Sequence, residues 1–125
     1  MKKILIVDDE PDILEVLGKR LIDAGYQVIK AQNGEEAIEK AKSELPNLII
    51  LDIVMPDIDG GEVAEVLKEY EATKNIPVIY LTCLYTKKEE KEVGHLIKEN
   101  FFVAKPYDAT ELLNIIRQNI YPLKY

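Results

Sequence analysis

Short apolar runs alternate with amphipathic stretches along the whole chain. The runs Ile4–Val7, Gln27–Ala31, Leu48–Leu51, Val78–Leu81 and Phe101–Ala104 predict five strands. The first, third and fourth are near-continuous in Ile, Leu and Val, the pattern of strands covered on both faces. Between the runs the apolar spacing becomes that of helices. Pro11 suits the first turn of a helix with Ile13, Leu14, Leu17 and Leu21 on one side and Gly25 as its stop. Asn33-Gly34 opens a second helix that buries Ala37, Ile38 and Ala41, and Gly60-Gly61 precedes a third carrying Val63, Val66, Leu67 and Tyr70. A fourth, near Lys87–Ile97, is highly charged and interrupted by Gly94; Asp108 caps a fifth with Leu112, Ile115, Ile116 and Ile120. Five strand–helix alternations call for a parallel sheet with helices on both faces. No internal repeat, low-complexity tract or linker interrupts the pattern, so residues 1–125 read as one α/β domain.

Composition narrows what such a domain can do. A hydrophobic fraction of 47% supports a packed core and argues against disorder. A chain of this length buries about two thirds of its unfolded surface and needs no disulfide or structural metal to hold together. The formal charge of −7, with Arg20 and Arg117 as the only arginines, disfavours phosphate-backbone binding by this domain itself, which would need clustered Lys and Arg, so no direct nucleic-acid partner is expected. A single cysteine, Cys83, excludes an internal disulfide and a cysteine-based zinc site. No apolar run reaches membrane-spanning length, and Ile4–Val7 is too short for a signal peptide. A cytoplasmic domain with no membrane partner is the expectation.

Chemistry enters at the strand ends. The opening segment "KKILIVDDEPD" runs from a buried strand into adjacent carboxylates that repel one another. In open parallel sheets ligands bind at the carboxyl ends of the strands. Asp8 and Asp9 end the first strand, Asp52 the third and Thr82 the fourth, while Lys105 lies just past the fifth. Singly, each has an ordinary explanation. Asp8, Asp9 and Glu10 suit solvated acids before a helix N-terminus, Thr82 a strand residue and Lys105 a surface lysine. Asp52 suits a turn less well, because Asp57 and Asp59 already fill such roles. Their convergence on one edge is what ordinary explanations do not cover. Three carboxylates in one pocket need a cation, and an all-oxygen set with room for water suits Mg²⁺. Cation and Lys105 would leave a carboxylate oxygen of Asp52 able to attack phosphorus and would neutralise the oxygens of the transferred group, with Thr82 donating a hydrogen bond.

The motifs "ILIVDDEPD", "LIILDIVMPDIDG", "YLTC" and "VAKPY", in this order and spacing, resemble the receiver domain of two-component response regulators over essentially the whole chain. The resemblance implies a flavodoxin-like, doubly wound five-stranded parallel sheet of strand order 2-1-3-4-5 with five helices. It implies Asp52 as the phospho-acceptor, and Asp8, Asp9, Asp52 and the backbone carbonyl of Val54 as the Mg²⁺ site. Thr82 and Lys105 would contact the phosphoryl group, Pro106 would form the Lys-Pro junction, and Phe102 would occupy the aromatic switch position. Phosphorylation would draw Thr82 inward, let Phe102 rotate, and change the face made by the fourth helix, fifth strand and fifth helix. The implied partners are a sensor histidine kinase or phosphotransfer protein and a downstream effector protein or output domain. No enzyme in the ordinary sense is implied, only catalysis of the domain's own phosphorylation and dephosphorylation. Val54 and Leu84 replace residues often polar in the family, which implies altered dephosphorylation kinetics, and Cys83 stands where Ala or Gly is usual. Lys98-Glu99-Asn100 replaces the common small residues before the fifth strand, and His95 reads as a surface residue.

Other aspartyl or flavodoxin-like chemistries fit less well. A haloacid-dehalogenase-type hydrolase wants its nucleophile on the first strand with a second Asp two residues later, which Asp8-Asp9-Glu10 lacks. A flavin binder would need Ser, Thr and Gly after the first strand, where acids would repel a phosphate. A receiver-shaped interaction module without phosphorylation is opposed by the intact set of acids, Thr82 and Lys105.

Overall fold

The computed structural model describes residues 1–52, 60–82, 101–104 and 109–120. Its elements run β1 (Lys3–Val7), α1 (Pro11–Asp23), β2 (Gln27–Ala31), α2 (Gly34–Glu44), β3 (Leu48–Asp52), α3 (Gly60–Glu69), β4 (Val78–Thr82), β5 (Phe101–Ala104) and α4 (Ala109–Ile120). The last is the fifth helix expected from sequence; the expected helix at Lys87–Ile97 and the cap Asp108 lie outside the described residues. All four strand pairings are parallel, in the order β2-β1-β3-β4-β5, as the flavodoxin-like expectation requires.

The two-residue period of a strand explains both layers of the core. Leu5, Val7, Ala31, Ile49, Leu51, Val78 and Tyr80 pack with Ala37 and Ala41 of α2 and Val63, Ala64 and Leu67 of α3. Their immediate neighbours Ile4, Ile6, Leu48, Ile50, Ile79 and Leu81 pack with Leu14, Leu17 and Leu21 of α1 and Leu112 and Ile116 of α4. Every residue of β3 is buried, whereas β2, at the edge of the sheet, buries only Ala31 fully. That difference is the one already visible between the continuous "LIIL" run and the mixed "QVIKA".

Helix boundaries follow local chemistry. Pro11 occupies the first turn of α1, and Gly25, at φ +98°, supplies the left-handed residue that turns the chain towards β2. At α2, Asn33 Oδ1 accepts from Glu36 N at 2.8 Å, a cap followed three residues on by Glu. Beyond its C-terminus the strand β1 takes hold of the next turn: Lys3 N donates to Asn47 Oδ1 and Asn47 N to Lys3 O, both at 2.8 Å. After α3 the buried Thr73 hydroxyl donates to Leu67 O at 2.6 Å and closes the helix end. Tyr70, expected on the apolar side of α3, instead lies just past the helix and is 42% exposed. Its ring receives Lys42 Nζ at 3.5 Å from the centroid, a cation–π contact that links the ends of α2 and α3. Among the described residues no helix is long and apolar enough to cross a membrane.

Two substitutions test this account of the packing. A Cβ on the buried Gly18 of α1 would meet Lys30 Cε at 2.9 Å and Ile6 Cδ1 at 3.6 Å, and only the first is tight. The Lys30 side chain is flexible and can move, so Gly18→Ala is expected to raise stability by about 0.5–1 kcal/mol in urea unfolding through helix propensity; a loss would mean that Lys30 is held. Thr73→Val removes a buried donor while keeping the side chain's shape, and is expected to cost about 1–2 kcal/mol in the same assay.

Candidate functional site

The register of the sheet builds the site. Val7 of β1 pairs with Leu51 of β3, so the next positions on these neighbouring parallel strands are Asp8 and Asp52. Both are nearly withdrawn from water, at 3% and 6% exposure, and they are two of the three buried polar residues among those described. Alternation continues through them: Asp8 follows Ile4 and Ile6, and Asp52 follows Leu48 and Ile50, all on the side covered by α1 and α4.

Asp8 is held by backbone on two sides. Its N–H donates to Ala31 O of β2 at 3.1 Å, and its Oδ1 accepts from Glu10 N at 3.0 Å. The second bond folds the acidic segment into a tight turn that leads directly into α1, where Glu10 O accepts from Ile13 N and Leu14 N. Asp9 and Glu10 are exposed, yet one carboxylate oxygen from each of Asp8, Asp9 and Glu10 lies within 4.8 Å of the others. Sequence reasoning treated Glu10 only as a loop acid; the turn that places it in the cluster depends on the Asp8–Glu10 hydrogen bond, which no spacing rule shows.

The other strands arrive in order. Asp52 pairs with Leu81 of β4, Thr82 follows at the carboxyl end of that strand, and Thr82 pairs with Ala104 of β5. Lys105 is next in sequence, and Phe102 is in register with Tyr80. Thus the turn gathers Asp8 with Asp9 and Glu10, the register sets Asp8 next to Asp52, and Thr82 stands on the adjoining strand end. Val54, Cys83, Leu84, His95, Lys105 and Pro106 lie outside the described residues.

The donor set fits a hard divalent cation. Two buried carboxylates on adjacent strands repel each other and resist desolvation, while oxygen ligands that are partly buried and partly open to solvent match an ion that keeps several waters. The α1 N-terminus, entered immediately after the turn, adds partial positive charge on the same side.

Comparison with known proteins agrees with this geometry. The sequence matches the response regulator receiver domain over residues 4–117. It is 40% identical to the alkaline phosphatase synthesis transcriptional regulatory protein PhoP of Bacillus subtilis over 113 residues, 89% of this chain and 45% of that protein. The chain spans about half the length of the curated relatives it matches, and a 14.6 kDa protein of Leptolyngbya boryana, 35% identical, is covered over 87% of its length. Among solved structures, the response regulator TrrA of Thermotoga maritima, in complex with Mg²⁺ and BeF, superposes with a TM-score of 0.83 at 36% identity, covering 95% of this chain and 99% of that one. The chemotaxis protein CheY4 of Vibrio cholerae superposes with 0.84 at 30% identity, covering 94% and 98%. A sheet order, an acidic edge and a sequence match that all extend across the chain have one common reading: it belongs to the response regulator receiver domain family.

Proposed function

We propose that this chain is a single receiver unit in which Asp52 accepts a phosphoryl group from a phosphohistidine of a sensor kinase or phosphotransfer protein. The observation that carries the proposal is the register that sets Asp8 beside Asp52 at the carboxyl edge of the sheet, both buried. One carboxylate oxygen of Asp52 forms the new O–P bond while the P–N bond to the donor imidazole breaks and its electron pair returns to the ring nitrogen. Asp52 is suited to this by its place at the last position of β3, where the rigid central strand fixes the carboxylate and burial limits competing water. Asp8 and Asp9, with Asp52 and the Val54 carbonyl, are the groups that would hold Mg²⁺, which when bound neutralises charge on the phosphoryl oxygens. Thr82 and Lys105 are assigned contacts to the phosphoryl oxygens, the first as hydrogen-bond donor and the second as a cation.

On this reading the chain catalyses only its own phosphorylation and dephosphorylation, as befits a family of signalling domains rather than enzymes acting on other substrates. The output passes to a downstream effector protein or an attached output domain through the face that contains β5 and α4, with Thr82 and Phe102 as the switch pair. The TrrA complex with Mg²⁺ and BeF, in a protein 36% identical, supports the choice of cation.

Incubation with acetyl phosphate, followed by intact-protein mass measurement, tests the acceptor. The expected result is a gain of one phosphoryl group that requires Mg²⁺ and is absent in Asp52→Asn. Stoichiometric labelling of that variant would place the acceptor elsewhere, and no labelling of the folded wild-type protein would favour an interaction module that works without phosphorylation.

A further inference from the structure

Strand β2 forms one edge of the sheet, so among the described residues no strand pairs with its outward backbone groups. The carbonyl of Ala31 points inward, accepting the Asp8 N–H at 3.1 Å. Because strand residues alternate, the carbonyl of Lys30 and the N–H of Gln32 point outward. Both are taken by side chains of α2. Lys40 Nζ donates to Lys30 O, and the Glu36 carboxylate accepts from the backbone N–H of Gln32. The two side chains, one helical turn apart, are joined to each other at 2.7 Å. Glu36 is itself fixed at the start of α2, since its own N–H donates to Asn33 Oδ1.

The connection to Asp8 runs through one peptide group. The Gln32 N–H held by Glu36 and the Ala31 carbonyl that receives Asp8 belong to the same planar unit and point in opposite directions. A carboxylate accepting from one end of a peptide polarises it and strengthens its carbonyl as an acceptor at the other end. The Lys40 hydrogen bond holds the preceding peptide, so the two peptide groups flanking Ala31 are both anchored from the edge. Lys40 is also the principal cause that holds the Glu36 carboxyl below its ordinary range.

We propose that the Glu36–Lys40 pair is a positioning clip for the acid pocket: by fixing the Ala31–Gln32 peptide it sets the Asp8 amide, and with it the Asp8 carboxylate beside Asp52. Glu36 and Lys40 touch no reacting atom and are positioning residues. The functional consequence rests on the reading of Asp8 as a cation ligand, whereas the structural link from α2 to Asp8 does not.

The test uses the full chain with Lys40→Met and Lys40→Arg, reading amide hydrogen exchange by NMR and Mg²⁺ affinity by titration. In Lys40→Met the Asp8 amide is expected to exchange about three- to tenfold faster, the scale of one weakened hydrogen bond, while amides of the central strand β3 keep their wild-type rates. Mg²⁺ affinity is expected to fall by about three- to tenfold, less than the loss typical of a direct partner of a metal ligand. Lys40→Arg is expected to restore both. An Asp8 amide that is unchanged, or that accelerates only together with β3, would overturn the clip, as would a faster Asp8 amide with unaltered Mg²⁺ affinity. If the wild-type protein took up no Mg²⁺, the assignment of the acid pocket would fall, and the Asp8 exchange rate would still decide whether α2 positions that residue.

Discussion

Two carboxylates that end neighbouring parallel strands, one residue beyond a paired Val7 and Leu51, impose the constraint around which the molecule is arranged. Both are nearly closed off from solvent, so each loses hydration and each feels the charge of the other. Left alone, such a pair opposes folding. The structure accommodates it by giving Asp8 a backbone donor from Glu10 and by tethering its amide to β2. The N-terminus of α1 opens directly behind the turn. The family to which the chain belongs works in phosphorylation-dependent two-component signalling, in which an acidic edge of this kind takes part.

The sheet supplies the rigidity that this arrangement needs. Strands β1 and β3 lie at its centre and are buried through both faces, with Leu and Ile alternately facing α1 and α4 or α2 and α3. Moving Asp8 or Asp52 would therefore require sliding a strand whose apolar side chains are all packed. The edge is different. β2 is only partly buried, and its outer backbone groups depend on Glu36 and Lys40. Its inner side nevertheless holds the Asp8 amide, so the least buried of the three strands nearest the acid turn takes part in placing it.

Much of this was legible in the sequence because it follows from periodicity. Continuous Ile, Leu and Val in "ILIV" and "LIIL" specified central strands, and the positions of Asp8, Asp52 and Thr82 at strand ends specified one polar edge. The strand order itself came with the family resemblance, since alternation of strands and helices leaves several orders open. Two features were not legible. Tyr70 continued the apolar spacing of α3, but the helix ends at Glu69 and the ring receives Lys42 of α2, a long-range contact that local spacing does not show. Glu10 joined the acid cluster, and Glu36 and Lys40 reached the edge of β2, through hydrogen bonds between side chains and backbone whose partners are set by tertiary packing.

The central claim is that Asp8 and Asp52 form a mutually repelling pair made tolerable by a divalent cation. Urea unfolding of the wild-type protein, Asp8→Asn and Asp52→Asn, each in chelator and in excess Mg²⁺, tests it most directly. Each neutralising substitution should make the cation-free protein more stable than wild type, because it removes repulsion and leaves an oxygen for the same hydrogen bonds. Mg²⁺ should then stabilise wild type well beyond either variant, by mass action on the folded state. Variants less stable than wild type in chelator, together with a wild-type midpoint indifferent to Mg²⁺, would contradict the account.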